Sequence, residues 1–547
     1  MKRFIFLSVF FAVSLFLTVN VPAATFTVTK TADTNDGICD ADCSLREAIA
    51  FAAVSRDAIV FSELFNSAQT ITLSGTDLVI NKNLTITGPG PELLTISGNN
   101  LSRVLRVMGG FNVTLNGLTV IQGNANFNNG SGGIGGGIYT AGNLTLENCV
   151  IKNNQASGDG AGIYNYGGTL NVNNSIISWN LGDGGGIYSL GSLTVSGSSV
   201  YRNGGGIHAA SVTVVNSSIN NNFALRDGGG IKCHQLTLIN STVNDNQADY
   251  GAAGIDCVET TITNSTISGN KLPGNSPGGA GGIHAQGSLN VTNSTITNNS
   301  APPGASSAGG IFRTSGPVTI RNSIVAANVD NVNVPDIGGV SIDFYTSSGY
   351  NLIGNVGTIT GFNQPGDQTG TSAQPLDPLL DPLGNYGGPT LTHRLRAGSP
   401  AIDKGNSFGA LTDQRGFART FDFPDIPNSL LAGFINKSKS TEIISALVGD
   451  GTDIGAYERA PAGISGRVMT ASGRAVQNAR VILTDTSGST RTALTGNFGY
   501  YRFGEALVGE TYTIAVVSKS YQFASQVFTV NNENYELNFI AQASLAK

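Results

Sequence analysis

The stretch GGGIYTAGNLTLENCVI at residues 135–151 recurs as GAGIYNYGGTLNVNNSII at 160–177 and as GGGIYSLGSLTVSGSSV at 184–200. The isoleucine after the glycines returns at intervals of 25, 24, 20, 24, 24, 28 and 28 residues. Its positions are Ile138, Ile163, Ile187, Ile207, Ile231, Ile255, Ile283 and Ile311. Three short alternating strands in a period of about 24 residues are typical of one coil of a parallel β-helix.

A second marker keeps step with the first and places Asn or Gly three residues before an Ile or Val. It begins at Asn148, Asn174, Gly197, Asn216, Asn240, Asn264, Asn293 and Asn322. Coils stacked about 4.8 Å apart put like residues on like, and Gly and Asn tolerate the positive φ of tight corners. We expect the marker asparagines to ladder their side-chain amides. Weaker alternation from Ile71 to Leu115 extends the helix, which we predict over residues 60–345 of an all-β chain.

The composition excludes several classes of protein. The chain has 547 residues, of which 73 are Gly, 40% are hydrophobic and 12% are charged, with a mean hydropathy of +0.04. Disorder requires lower hydrophobicity and higher charge, and Gly lacks the three-residue period of collagen. The net charge of −6 and the absence of a basic patch give no electrostatic support for nucleic-acid binding.

The first residues predict export. A basic start, Met1-Lys2-Arg3, precedes an apolar run from Phe4 to Val19 and small residues suited to cleavage before Ala24. The run is shorter than the roughly 20 residues of a membrane span. We therefore predict that residues 1–23 are a cleaved signal peptide, and that the mature chain is extracellular or on the outer cell surface without a transmembrane span.

Residues 24–59 are predicted to cap the first coil. Ser44 and Glu47 have the spacing of a helix capping box, and a helix there would cover exposed strand edges. In an exported chain Cys39 and Cys43 favour a local disulfide over two free thiols. The oxygens of Asp33, Asn35, Asp36 and Asp40 suit Ca²⁺, although their spacing does not fit an EF-hand, and Asx turns explain them equally. No other metal or cofactor is expected.

Three cysteines lie within the repeats. Cys233 and Cys257 are 24 residues apart, so they should face each other on adjacent coils at disulfide distance. A bridge is favoured, and a stacked pair of thiols is the alternative. Cys149 takes the place of a marker serine and is predicted to be a buried free thiol.

The residue after each marker isoleucine should point outward, which predicts one line of side chains down the helix. The line contains Tyr139, Tyr164, Tyr188, His208, Lys232, Asp256, His284 and Phe312. Its aromatic and imidazole members, Tyr139, Tyr164, Tyr188, His208 and His284, are candidates for binding sugars through ring faces. Lys232 and Asp256 are the candidate acid–base pair should the protein be an enzyme. The structural alternative is an aromatic ladder beside a surface ion pair.

The composition changes twice after the repeats. Residues 346–460 are rich in Pro and Gly and hold Asp403, Asp413, Arg415, Asp453 and Glu458, which we interpret as a salt-bridged cap over the last coil rather than a catalytic cluster. Residues 461–547 contain seven short alternating segments, which predicts a small antiparallel β-sandwich.

Four stretches resemble known families of secreted bacterial proteins. CSLREA at residues 43–48 resembles the CSLREA N-terminal domain, and the repeats resemble the pectin-lyase-like right-handed β-helix. GYNLIGN, TDQRGFART, GTDIGAYE and the intervening residues resemble the choice-of-anchor Q region. Gly466, Gly473, Gly499, Tyr500 and Phe503 follow the order of a carboxypeptidase-regulatory-like, transthyretin-like domain. These resemblances imply a surface-displayed β-helix and transfer no catalytic residues.

The expected function is adhesin-like or structural, with polysaccharides, cell-surface glycans or envelope components as partners. The alternative is a polysaccharide lyase or glycoside hydrolase acting on the outward face. The adjacent aspartates and Gly-His-Gly of hydrolase relatives are absent from the repeats, as is any Ser-His-Asp spacing. A non-enzymatic role is therefore favoured.

Overall fold

The computed structural model describes residues 23–542 except 53–56, 127–131, 183, 274–278, 303–306, 329–334, 341–343, 423–425, 430–448, 460, 508–509 and 531–533. The predicted signal peptide therefore lies outside the described residues, apart from its last position. From residue 25 to residue 369 the described strands pair in parallel with the next coil along the chain. The prediction of an all-β parallel solenoid is confirmed.

Each coil contributes strands to three faces. The first face contains Leu78–Ile80, Leu105–Val107, Ile138–Thr140, Ile163–Asn165, Ile283–Ala285, Ile311–Arg313 and Ile337–Gly339. The second face contains Thr25–Val28, Ala58–Phe61, Leu84–Thr87, Asn112–Asn116, Asn143–Glu147, Thr169–Asn173, Leu289–Thr292, Val318–Arg321 and Tyr345–Ser347. Four long strands continue from the first face into the second, namely Ile187–Ser196, Ile207–Val215, Ile231–Ile239 and Ile255–Thr263.

The third face is a 13-stranded sheet. Its members are Gln69–Thr72, Leu94–Ser97, Thr119–Ile121, Val150–Lys152, Ile176–Ser178, Ser199–Tyr201, Ser218–Asn220, Thr242–Asn244, Thr266–Ser268, Thr295–Thr297, Ile324–Val325, Leu352–Ile353 and Gln368–Thr369. Short strands at the remaining corner are Asn124–Ala125, Gln155–Ala156, Phe223–Asp227, Gln247–Ala252, Gly279–Ala280 and Ser307–Ala308. Every face presents alternate apolar residues to one continuous core.

The marker residues stack as predicted. Ile138 pairs with Ile163, and Ile163 with Ile187, all fully buried. The marker asparagines occupy left-handed corners, with φ of 51° at Asn148 and 48° at Asn174. Stacked isoleucines and permissive corners thus repeat at each coil, which is what holds the period near 24 residues.

The amide ladder lies at other asparagines than those we predicted. The fully buried file Asn154, Asn180, Asn203, Asn222, Asn246, Asn270, Asn299 and Asn328 joins each Nδ2 to the next Oδ1 at 2.8–3.0 Å. Among the marker asparagines, Asn322 donates to Asn293 at 2.9 Å, whereas Asn174 donates to Glu147 instead. The predicted amide pairing therefore occurs between Asn293 and Asn322, and the continuous ladder occupies the inward position six residues after each marker.

The ladder ends on a carboxylate. Asn328 donates from its backbone nitrogen and from Nδ2 to Oδ1 of Asp336 at 2.8 and 2.9 Å. The other oxygen, Oδ2, accepts from the backbone of Asn355. Burial raises the pKa of Asp336 to about 6. A parallel file of buried serines passes through Ser323 and ends in the same way, at Asp367.

The N-terminal cap adds one strand to the solenoid and a helix that packs on its core. Thr25–Val28 pairs in parallel with Ala58–Phe61, so this strand belongs to the second face. The helix Leu45–Phe51 has the predicted capping box between Ser44 and Glu47, and it buries its apolar side on the core. A 3-10 helix, Glu63–Asn66, follows.

The carboxylates proposed for Ca²⁺ have partners within the cap. Asp33 accepts from Arg46 at 2.7 and 2.9 Å and from Ser74. Asp36 and Asp40 each accept from the amide two residues later, as in Asx turns, while Asn35 is exposed. This arrangement supports the Asx-turn alternative.

The solenoid extends beyond the predicted boundary at residue 345. Leu352–Ile353 pairs with Gln368–Thr369 on the third face. Ile359 joins the core, with Val356 and Phe362 packed against it. These residues, rather than a separate domain, cover the last coil.

The described residues between 376 and 459 lie along the side of the solenoid, which corrects the prediction of a cap over its end. Outward hydroxyls of the third face hold this flank: Thr242 donates to the Leu391 carbonyl, and Thr266 donates to Gln414 at 2.6 Å. The Ala456 amide donates to Thr295. Three successive coils therefore carry Thr at the outward position where earlier coils carry Val150 or Ile176.

The flank buries its charged residues as a salt-bridged cluster. Asp413 contacts Arg415 through Nε and Nη2 at 2.7 Å, with both side chains fully buried. Asp453 accepts from the backbone amides of Asp403 and Arg459. Burial and mutual repulsion raise the pKa values of Asp453 and Glu458. Because backbone amides and arginines occupy these carboxylates, we interpret the cluster as structural.

The C-terminal domain is a sandwich of two four-stranded sheets. One sheet pairs Arg480–Asp485, Thr490–Leu494, Thr511–Val517 and Gln526–Thr529, all antiparallel. The other pairs Pro461–Met469 antiparallel with Tyr500–Leu507, and parallel with Asn534–Glu536 and Phe539–Ile540. The sandwich is thus partly mixed rather than wholly antiparallel, because the chain crosses from one sheet to the other before its last two strands.

Two disulfides are present, Cys39–Cys43 and Cys233–Cys257, and Cys149 is buried and free. We expect the variant Cys233→Ala/Cys257→Ala to lose about 3 kcal/mol of unfolding free energy, since the bridge closes a loop of 24 residues. Urea denaturation checks this. The control is Cys149→Ser, which places in one coil the residue that Ser175 supplies in the next. Equal losses in both variants would contradict the prediction.

Candidate functional site

The predicted outward line exists as one file in register. Tyr139, Tyr164, Tyr188 and His208 pair on successive coils of the first face. The file continues through Lys232, Asp256, His284 and Phe312. Side chains 20 to 28 residues apart in sequence are thereby lined up at the coil spacing.

The rings of this file cover one another. Tyr139 and Tyr164 stack with centroids 5.9 Å apart and planes at 3°, and Tyr164 and Tyr188 with centroids 5.2 Å apart and planes at 2°. The guanidinium of Arg103 lies over the ring of Tyr139, and His208 packs on Tyr188. The faces expected to bind sugars are therefore occupied, and the aromatic part of the file is a stacking ladder.

Burial divides the file further. Tyr164 is 8% exposed, Asp256 2% and Phe312 3%, so these three do not form an open surface. Phe312 packs against Ala280 and Ala308, which belong to the short strands at the neighbouring corner. Burial also raises the pKa values of Tyr164 and Tyr188. The prediction of an open line was wrong at Phe312 because corner strands cover it. It was wrong at Tyr164 because its ring lies between two stacked tyrosines.

Between these buried parts the surface opens into a groove of about 340 Å³ at the bend from the first to the second face. We call it the bend groove. Its polar lining residues are Tyr188, Ser189, His208, Lys232, His234, Asp256 and Gln286, and its apolar ones include Leu190 and Val258. The repeat pattern predicts His208, Lys232 and Asp256 on this surface and does not single out His234 and Gln286. The signal for both was available, because each lies two residues after an outward member of the file.

The carboxylate of Asp256 is fixed from two sides. Gln286 Nε2 donates to its Oδ1 at 2.6 Å, and Nδ1 of His284 lies 3.0 Å from the same oxygen. Its Oδ2 has no hydrogen-bond partner among the described residues. Since only 1% of the side chain is exposed, Asp256 orients its neighbours rather than reaching a ligand in the groove.

Lys232 lies on the preceding coil and pairs in register with Asp256. A lysine beside a buried carboxylate occurs both in structural ion pairs and in acid–base pairs. The pairing of Lys232 with Asp256 is therefore compatible with either role. Among the residues that the structure describes, no three His, Cys, Asp or Glu side chains converge on a point that could hold a metal ion.

We expect Tyr164→Ala to reduce stability and to leave ligand binding unchanged. The ring stacks on both sides, and removing a buried aromatic side chain costs about 3–5 kcal/mol. Thermal unfolding and binding titration of the same sample separate the two effects. Tyr166→Ala, at a 60% exposed tyrosine on the same coil, is the control and should match the parent protein in both.

Comparison with known proteins identifies a family for the C-terminal residues and neighbours of the fold among solved structures. A model of the carboxypeptidase regulatory-like domain matches residues 463–542. The crystal structure of pectate lyase Pel9A matches 80% of this chain and 97% of its own, with 16% identity and a TM-score of 0.38. No curated protein matches, and no helix with the length and apolarity of a membrane span occurs in the described part of the chain. Residues 463–542 are thus a carboxypeptidase regulatory-like domain that follows the solenoid.

Proposed function

We propose that the protein is exported, displayed at the cell surface, and binds carbohydrate in the bend groove without requiring turnover. The observation that carries the proposal is the mixed lining of the groove. Lys232, His234 and Gln286 offer hydrogen-bond donors, the amide oxygen of Gln286 also accepts, and Leu190 and Val258 add apolar contact. Sugars combine hydroxyl donors and acceptors with apolar C–H faces, and a volume of about 340 Å³ is at the small end of ligand sites.

The solenoid also suits display. Its parallel coils run from residue 25 to residue 369, and a domain of about 80 residues follows at the C-terminus. Each coil is stabilised mainly by its neighbours, so the groove is held on a rigid frame. Residues Lys232 and Asp256 need not act as acid and base in this function, because the carboxylate of Asp256 is buried and held by Gln286 and His284.

The binding proposal is tested by titrating the protein with a panel of neutral and acidic polysaccharides in a calorimeter. Lys232→Ala should weaken binding about 10- to 150-fold, since a hydrogen bond to a charged group contributes about 1.5–3 kcal/mol. Lys152→Ala, at an exposed lysine on the third face, is the matched control and should bind like the parent. The proposal would be refuted if no polysaccharide bound, or if Lys232→Ala and Lys152→Ala had equal effects on binding.

Export and turnover have their own readouts. Mass spectrometry of the protein recovered from the outside of expressing cells should find Ala24 as its first residue, and a chain retained inside with Met1 would contradict export. Release of reducing or unsaturated ends from the same panel, abolished by Lys232→Ala and Asp256→Asn, would favour the lyase or hydrolase alternative over binding alone.

A further inference from the structure

Three successive coils bring together an acid, an imidazole and a hydroxyl at one point. Asp256 and His284 pair in register, and Thr314 follows the residue that pairs with Ala285. Nδ1 of His284 lies 3.0 Å from Oδ1 of Asp256, and Nε2 of the same ring lies 3.3 Å from Oγ1 of Thr314. The two ring nitrogens thus face two different partners.

This order of groups is that of an activated hydroxyl nucleophile. A serine or threonine hydroxyl gains nucleophilicity when an imidazole accepts its proton, and a carboxylate on the other ring nitrogen fixes the tautomer and stabilises the imidazolium. Chain order does not matter, because such sets are recognised by geometry and roles. Here the groups lie 28 and 30 residues apart, so no short sequence motif records them.

The exposure of the three side chains increases from Asp256 through His284 to Thr314. The Asp256 carboxylate is 1% exposed, the His284 ring 14%, and Thr314 is exposed. Gln286 holds Oδ1 of Asp256 at 2.6 Å, which orients the carboxylate from behind. A buried acid, a half-buried base and an accessible hydroxyl are what a reaction with an external ligand requires.

The contacts are loose in the free protein. Although Nδ1 lies 3.0 Å from the carboxylate, it makes no well-aligned hydrogen bond. Catalytic hydrogen bonds are commonly long or misaligned until substrate binds. Oγ1 of Thr314 also lies 3.3 Å from the carbonyl oxygen of Ala285, so the hydroxyl has a second acceptor from which it would turn.

We propose that Thr314, His284 and Asp256 form an acyl-transfer centre that hydrolyses carboxylic esters. Oγ1 of Thr314 attacks the ester carbonyl carbon while its proton passes to Nε2 of His284. The bond between that carbon and the alcohol oxygen then breaks, and the departing alcohol takes the proton from Nε2. Water attacks the acyl-threonine, passes a proton to Nε2, and the acid leaves as the proton returns to Oγ1. Asp256 acts as the positioning residue for the imidazolium.

The position of the centre indicates which esters it would take. Asp256 and Gln286 also line the bend groove, so the hydroxyl of Thr314 lies beside a site proposed for carbohydrate. The substrate class is therefore an acyl ester carried by a sugar hydroxyl. This assignment rests on the proposed function, whereas the ester chemistry itself does not, and a small ester tests it separately.

The test uses the full chain with p-nitrophenyl acetate and an alkyl fluorophosphonate, followed by peptide mass spectrometry. We expect ester hydrolysis, and a phosphonyl adduct on Thr314. Thr314→Ala should abolish both, His284→Ala should lower the hydrolysis rate at least about 100-fold, and Asp256→Asn should lower it with a changed pH profile. Thr314→Ser keeps the hydroxyl and should restore adduct and turnover.

The control is Thr319→Ala, at an outward threonine of the same coil on the second face, which should react like the parent. An adduct on another residue, or rates that do not change in Thr314→Ala and His284→Ala, would overturn the proposal. Hydrolysis of p-nitrophenyl acetate by a protein that binds no polysaccharide would support the ester centre while refuting the proposed carbohydrate site. Polysaccharide binding without ester hydrolysis and without an adduct on Thr314 would support the carbohydrate site while refuting the ester centre.

Discussion

Replacement of Asn222 by Ala should lower the free energy of unfolding by about 3–6 kcal/mol. Its fully buried side chain accepts from the backbone nitrogen and Nδ2 of Asn203, both at 3.0 Å. It also donates to the Val200 carbonyl and to Asn246. Truncation leaves both donors of Asn203 without their acceptor, and each unsatisfied buried group costs about 1–3 kcal/mol, so the two together cost up to about 6 kcal/mol.

The matched control is Asn290→Ala, at an exposed asparagine on the second face. We expect it to change stability by less than about 0.5 kcal/mol. Urea denaturation followed by circular dichroism measures both variants. Similar losses at Asn222 and Asn290 would show that the interior amide file contributes nothing specific to the solenoid.

The second large effect is a dependence of stability on pH through Asp336. Burial raises its pKa to about 6 in the folded protein, against about 3.9 for an unfolded Asp. A carboxyl with a raised native pKa binds its proton more tightly in the folded state, so its contribution favours folding at acidic pH. That contribution is lost as the pH rises from about 4 through about 6 and amounts to about 3 kcal/mol.

Other titrating groups also change the free energy of unfolding with pH, so a variant is needed to isolate the contribution of Asp336. The raised pKa values of Asp453 and Glu458 act in the same direction, while burial lowers the pKa of His393 and opposes them. Asp336→Asn removes only one titration. The stability difference between parent and variant should shift by about 2–3 kcal/mol between pH 4.5 and 7.5, and a difference independent of pH would refute the account.

Most of the fold could be predicted from the periodicity of the sequence, because a solenoid repeats one local environment at every coil. The isoleucine spacing predicted which residues stack, and Tyr139, Tyr164 and Tyr188 do so in register. The capping box at Ser44 and Glu47 was equally readable, since it depends on four consecutive residues. Such features are local or strictly repeated, and neither needs knowledge of distant contacts.

The features missed are those that repeats alone do not determine. The wall beside Phe312 depends on corner strands of irregular length, and the flank on Thr242 and Thr266 depends on contacts across about 150 residues. Three consecutive N-S-T markers hinted that these threonines have a partner. The proximity of Thr314 to His284 had no signal, because Thr314 lies outside the repeated file.

Cross-linking across adjacent coils tests the central claim, that matching residues align one coil apart, most directly. Thr213 pairs with Thr237, and Thr237 with Thr261, on the outward side of the second face. In a chain with Cys233→Ala/Cys257→Ala, the variant Thr213→Cys/Thr237→Cys should form a disulfide under mild oxidation, detected by mass spectrometry. The variant Thr213→Cys/Thr261→Cys spans two coils, about 9.6 Å, beyond the reach of a disulfide, and should stay reduced. Equal cross-linking of both pairs, or of the distant pair alone, would contradict the stacked solenoid and the site built on it.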